Sequence, residues 1–112
     1  MKKPLDGKIA IITGGGRGLG RAMALGYAEA GASGIVITAA RNRGQIEDVA
    51  AEINDVAGRN IGIAIQANVT DLNACQEVAQ ETTENFGRID ILINNAGLGQ
   101  GMMADDRVKF YE

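Results

Sequence analysis

The chain has 112 residues, 46% of them apolar and 22% charged, with one proline and a net charge of −3. That is the composition of one globular domain or part of one, with no disordered or collagen-like tract. The acidic balance, with no basic run, excludes nucleic acid and anionic membrane as expected partners. One cysteine excludes an internal disulfide, and the lack of histidine leaves almost no ligands for a zinc site. No segment approaches the ~20 apolar residues of a membrane span. The apolar run after MKKPLDGK is too short for a signal sequence. A cytoplasmic protein is expected.

Short apolar runs alternate with amphipathic stretches. KIAIITG (Lys8–Gly14) has the β-branched content of a buried strand. After a glycine-rich loop, Leu19, Ala22, Met23, Gly26, Tyr27 and Ala30 recur at helical spacing, and Gly31 ends that helix. GIVITAA (Gly34–Ala40) reads as the second strand. Ile46, Val49, Ala50, Ile53 and Ala57 mark a second helix, closed by Gly58. IGIAIQANV (Ile61–Val69) is the third strand. Leu72, Cys75, Val78, Ala79, Thr82 and Phe86 form a third helical stripe, with Thr70 or Asp71 as cap and Gly87 as stop. Cys75 on that stripe reads as a small core residue. Glu77, Glu81 and Glu84 read as a solvated helix face. IDILINNAG (Ile89–Gly97) is the fourth strand and its exit loop.

This β-α-β-α-β-α-β order, with strands that are continuous apolar runs, predicts an α/β fold with a parallel sheet covered on both faces. Right-handed crossovers then favour strand order 3-2-1-4, the first half of a doubly wound sheet. Residues 1–97 read as one half domain and residues 98–112 as a tail leading out of it.

The loop TGGGRGLG, Thr13 to Gly20, follows a predicted strand and opens a predicted helix. In that context glycines have separate tasks: Gly14 for the tight turn, Gly18 for close approach of backbone to a pyrophosphate, Gly20 for close helix–strand packing. Free N–H groups at the helix start would face the anion. The candidate contacts are Gly14, Gly16, Arg17, Gly18, Leu19 and Gly20.

The spacing Thr-Gly-x-x-x-Gly-x-Gly, together with NNAG (Asn94–Gly97) and NVTD (Asn68–Asp71), resembles the short-chain dehydrogenase/reductase family from about Leu5 to Gly97. The resemblance implies a Rossmann-type fold, a nicotinamide cofactor, hydride transfer between carbonyl and alcohol carbons of a small-molecule substrate, and a homo-oligomer when complete. It places Asn68 and Val69 at the adenine, and Asn95, Ala96 and Gly97 along the adenosine and nicotinamide-ribose side. Asn94 has a structural reading as well: a side-chain amide at a strand end can tie backbone groups together.

An NAD-binding fold carries a carboxylate for the ribose about 20 residues past the loop, whereas a nearby Arg accommodates the 2′-phosphate of NADP. Here the second strand ends TAARNR, and the first acidic residue beyond it is Glu47. Arg41 and Asn42 are the candidate ribose-side residues, with Arg43 and Arg17 as further cations for a phosphate. NADP is therefore expected in preference to NAD.

By the same resemblance, catalysis would need a Tyr-x-x-x-Lys pair with a Ser upstream. Tyr27 is followed four residues later by Gly31, Tyr111 is penultimate, and Ser33 is the only serine. No residue is assigned a catalytic role, and no metal site is expected. The chain reads as the N-terminal half of an oxidoreductase, with its fourth strand left as an edge that invites self-association. The alternative is a non-catalytic NADP(H)-binding fragment or module. Met102 and Met103 are candidate pocket-lining or filler residues.

Overall fold

A computed structural model describes residues 2–95. The elements run β1 (Ile9–Thr13), α1 (Gly18–Glu29), β2 (Gly34–Ala39), α2 (Arg43–Ala57), β3 (Gly62–Gln66), α3 (Leu72–Phe86) and β4 (Ile91–Asn94). All pairings are parallel and the sheet order is β3-β2-β1-β4, as the sequence pattern predicts. The fold is the first half of a Rossmann-type sheet.

Alternation along β1 and β2 separates two packing layers. Ile12 and Ile37, cross-strand partners, face α1 and α2 with Ile35. Ile46, Val49, Ala50 and Ile53 of α2 and Ala24 and Ala28 of α1 complete that layer. Ile12, Ile35, Ile37, Ile46 and Ile53 are fully buried. Each such side chain contributes about 1.5–3 kcal/mol of burial free energy. The opposite face pairs Ile11 with Val36 beneath Val78 of α3, and Phe86, Ile63, Ile65 and Ala67 flank them.

Helix termini follow local chemistry. Asp71 caps α3 by accepting the N–H of Asn73 at 2.9 Å, which decides between the two candidate caps. Gly58 and Gly87 close α2 and α3 in left-handed conformation, with φ of 73° and 83°.

Expectations for two helix faces and two strand lengths are corrected. The buried face of α1 is Gly20, Ala24 and Ala28, not the stripe through Leu19 and Ala22; Met23 and Tyr27 are half-buried, and Leu19 is 60% exposed. Small residues let α1 lie close on the sheet, so the larger side chains flank the contact. Leu72, expected on the core stripe of α3, is 71% exposed in the first turn, and Cys75 is half-buried, its thiol 3.2 Å from the Val69 carbonyl. Strands β3 and β4 are also shorter than their apolar runs. Among the described residues β4 is a sheet edge, and Leu92 on it is 63% exposed.

Candidate functional site

Open parallel sheets bind ligands at the carboxyl ends of their strands. There the structure brings together the Thr13–Gly20 loop, the β2–α2 turn with Arg41 and Asn42, the β3 exit with Asn68 and Val69, and the β4 exit with Asn95. Ala96, Gly97, Met102 and Met103 lie outside the described residues.

The loop is built on the backbone of β2. The N–H groups of Gly14 and Gly15 both donate to the Thr38 carbonyl, at 2.8 and 3.1 Å. Gly14 turns with φ 69°, a conformation that side chains oppose. Gly20 is required for a different reason: a Cβ there would stand 2.1 Å from the Gly14 carbonyl oxygen and 2.7 Å from the Asn95 amide nitrogen. The glycine therefore lets the first turn of α1 fold back onto the loop that precedes it.

The start of α1 is open. Its N-cap is Arg17, in extended conformation, and no side chain accepts the first-turn N–H groups. The starts of α2 and α3 are capped by Asn42 and Asp71. Orphan N–H groups with the positive end of a helix dipole form an anion site. Arg17 and Leu19 are exposed on either side of Gly18, whose φ is 58°.

One residue past Gly20, Arg21 grips α2. Its Nε donates to Glu52 Oε1 at 3.0 Å and its Nη2 to Glu52 Oε2. That hydrogen-bonded pairing lifts the Arg21 pKa, and it holds the Glu52 carboxyl below its ordinary range against partial desolvation. Gly16 rests on α2 as well, where a Cβ would press on Gln45 and Ile46.

A second anchor comes from β4. Thr13 and Asn94 are cross-strand partners. The Thr13 hydroxyl lies 3.3 Å from the Ile93 carbonyl and 3.2 Å from Asn94 Oδ1, and accepts the N–H of Asn95 at 2.9 Å. Asn95 then donates its side-chain amide to the Gly14 carbonyl at 3.1 Å. Asn94 and Asn95 thus tie the fourth strand to the glycine loop.

On the ribose side, Arg41 is exposed and, like Arg17, makes no ion pair among the described residues. Arg43 differs: its Nε sits 3.1 Å from Glu47 Oε2 in an exposed i, i+4 pair. Asn68 has its side-chain oxygen Oδ1 engaged by the N–H and hydroxyl of Thr70, at 3.0 and 2.7 Å. Its amide nitrogen is the group left to donate to a ligand. Two residues of the loop's construction were not assigned from sequence. Thr13 holds β4 through the β1–β4 register, which pairs it with Asn94. Gly15 has a position where a Cβ would lie 2.6 Å from Ile37.

At the other end of the sheet an open cleft of about 310 Å³ is lined by Lys2, Lys3, Asp6, Gly31, Ala57 and Arg59, among others. Its cations stand near the carboxyl ends of α1 and α2, where they complement the helix dipoles. Among the described residues no group of three or more His, Cys, Asp or Glu is placed to hold a metal, and no helix is long and apolar enough to cross a membrane. Ser33 is remote from the strand exits and accepts the Gly7 N–H at 2.9 Å.

Comparison with known proteins agrees with this geometry. The family profile for short chain dehydrogenase matches residues 8–110. Versicolorin reductase 1 of Aspergillus parasiticus is 43% identical over 94 residues, covering 84% of this chain and 35% of its own. A short-chain dehydrogenase/reductase from Serratia marcescens superposes with TM-score 0.77 at 33% identity, over 96% of this chain and 44% of that one. A Pseudomonas aeruginosa RhlG/NADP active-site complex superposes with TM-score 0.70 at 38% identity, over 83% and 36%. The chain spans about a third of the length of the curated relative it matches. On its motifs, its fold and these likenesses, the chain belongs to the short-chain dehydrogenase family.

Proposed function

We propose that this chain seats the pyrophosphate of a nicotinamide dinucleotide on the Gly14–Gly20 loop and takes NADP(H) in preference to NAD(H). In this reading it supplies the cofactor-binding half of an oxidoreductase whose substrate is a small carbonyl or alcohol. The observation that carries the reading is the uncapped start of α1 directly behind the glycine loop, in a chain whose other two described helix starts are capped. The nicotinamide, when bound, supplies or accepts the hydride. The chain's own residues bind and orient it: Gly14, Gly16, Gly18 and Gly20 by backbone approach, Leu19 by apolar contact, Asn68 and Val69 at the adenine, and Asn95, Ala96 and Gly97 along the ribose.

NADP(H) preference rests on charge. No carboxylate stands at the end of β2 to accept a ribose 2′-hydroxyl, since Glu47 already lies in α2. Arg17 and Arg41 are cations with no ion pair among the described residues, and Asn42 lies between Arg41 and α2. A guanidinium matches a phosphate in both geometry and charge. A family neighbour with NADP in its described complex is consistent with this preference. Calorimetric titration with NADPH and NADH tests it. Tighter NADPH binding that is lost in Arg41→Ala supports the reading; equal affinity, or a preference for NADH, refutes it.

A second reading is a module that binds NADP(H) without turnover. Consumption of NADPH on addition of a panel of ketones and aldehydes separates the two readings. For the whole protein, a homo-oligomer in the cytoplasm remains the proposal.

A further inference from the structure

The turn between β2 and α2 is held more firmly than a surface turn requires. Asn42 is the one non-glycine among the described residues with positive φ, at φ 58° and ψ 59°. L-residues avoid this conformation, and Asn tolerates it better than most. The side-chain oxygen of Asn42 faces the Gln45 N–H at 3.2 Å, and its carbonyl faces the same N–H at 3.1 Å. On the other side of Arg41, the Gln66 side chain donates to the Ala40 carbonyl at 3.2 Å. Gln66 is itself fixed by the sheet, opposite Ala39 at the last pair of the β2–β3 ladder. The peptides at positions 40 and 42 are therefore each tied down. Arg41 stands between them, without an ion pair among the described residues. Arg43, the neighbouring cation, is occupied by Glu47.

We propose that Asn42 and Gln66 are positioning residues for recognition of a 2′-phosphate: they fix the backbone on both sides of Arg41, so that its guanidinium is presented at the carboxyl end of β2. The inference rests on the reading of Arg41 as the phosphate-side cation. Holding the backbone in advance lowers the ordering cost paid when a flexible arginine engages an anion. NADH has no phosphate at that position, so loosening the turn weakens NADPH more than NADH. A general loss of structure would weaken both nucleotides together.

The test measures Kd for NADPH and for NADH with the unaltered chain and with Asn42→Ala, Asn42→Gly and Gln66→Leu. Asn42→Ala and Gln66→Leu are each expected to weaken NADPH about 3- to 10-fold, the worth of one hydrogen bond, while NADH changes by less than about 2-fold. Asn42→Gly keeps the left-handed turn and loses only the cap, so it is expected to fall between the unaltered chain and Asn42→Ala. Equal weakening of both nucleotides, or no change in either, overturns the proposal. If Asn42→Ala does not fold, as read from its thermal melt, the exposed Gln66→Leu decides the matter. Binding of neither nucleotide by the unaltered chain would overturn the cofactor reading and this proposal with it. Equal binding of both, unaltered by Arg41→Ala, would overturn this proposal and leave the loop reading standing.

Discussion

The side-chain amide of Asn95 donates to the carbonyl of Gly14 at 3.1 Å, across 81 residues of sequence. The same asparagine gives its backbone N–H to the Thr13 hydroxyl at 2.9 Å. The fourth strand is therefore joined to the glycine loop at two points. Removing the amide leaves the Gly14 carbonyl without that donor in a half-buried setting. Asn95→Ala is expected to lower stability by about 1 kcal/mol and to weaken dinucleotide binding, read from urea unfolding and calorimetry.

Gly20 and Gly26 lie on the same helix, and opposite responses to alanine are expected. A Cβ at Gly20 would enter the Gly14 carbonyl and the Asn95 amide, whereas one at Gly26 meets nothing within 4 Å. Gly20→Ala is expected to cost about 1–3 kcal/mol through overpacking and to displace the loop. Gly26→Ala is expected to add about 0.5–1 kcal/mol by helix propensity. Denaturant midpoints of the two variants check the contrast; a Gly20→Ala chain as stable as the unaltered one contradicts it.

Much of this architecture was legible in the sequence, and the reasons differ by element. The sheet order followed from four apolar runs separated by helical periods, because right-handed crossovers leave few arrangements. The α2 face was legible because Ile46, Val49, Ala50 and Ile53 are large and evenly spaced. The α1 face was legible only at Gly20, through the loop motif, because the rest of its contact is made by Ala24 and Ala28. Glycine and alanine mark a close approach by lacking size, and a periodicity weighted by hydrophobicity passes over them. Strand β3 was read too long because Ala67 and Val69 continue the apolar run, while the Asn68 side chain turns the chain by accepting from Thr70. The anchoring of the loop by Thr13 was hidden for another reason: it depends on β1–β4 register, which no local pattern reports.

Thr38 is fully buried at the end of β2, and its hydroxyl has no hydrogen-bond partner among the described residues. A buried hydroxyl without a partner keeps its desolvation cost, and valine has nearly the same shape. Thr38→Val is expected to stabilise the chain by up to about 1 kcal/mol. A clear loss of stability in urea unfolding would show that the hydroxyl is satisfied in solution.

Asp90 links the turn after α3 to the first strand. It accepts from Arg88 Nε and Nη2 at 3.0 and 2.6 Å and from the Ile9 N–H at 2.8 Å. The Arg88 hydrogen bonds first, and then the Ile9 N–H, hold its carboxyl below the ordinary range. A carboxyl depressed in the folded state contributes stability that is full above its unfolded pKa and lost as pH falls through the folded one. Stability should therefore decline from roughly pH 4 downward. Asp90→Asn should lower stability near neutrality and flatten that decline. Urea midpoints at about pH 6 and about pH 3 read the difference; an unchanged slope in Asp90→Asn contradicts the assignment.

The central claim is that the Gly14–Gly20 loop and the open start of α1 hold the dinucleotide. It is tested most directly by following backbone amide resonances of the chain as NADPH is added. The account predicts saturable shifts in Gly14 to Arg21, with further shifts at Arg41, Asn68 and Asn95 and none around Lys3 and Arg59. Shifts confined to the opposite end of the sheet, or no saturable shift in the loop, would contradict it.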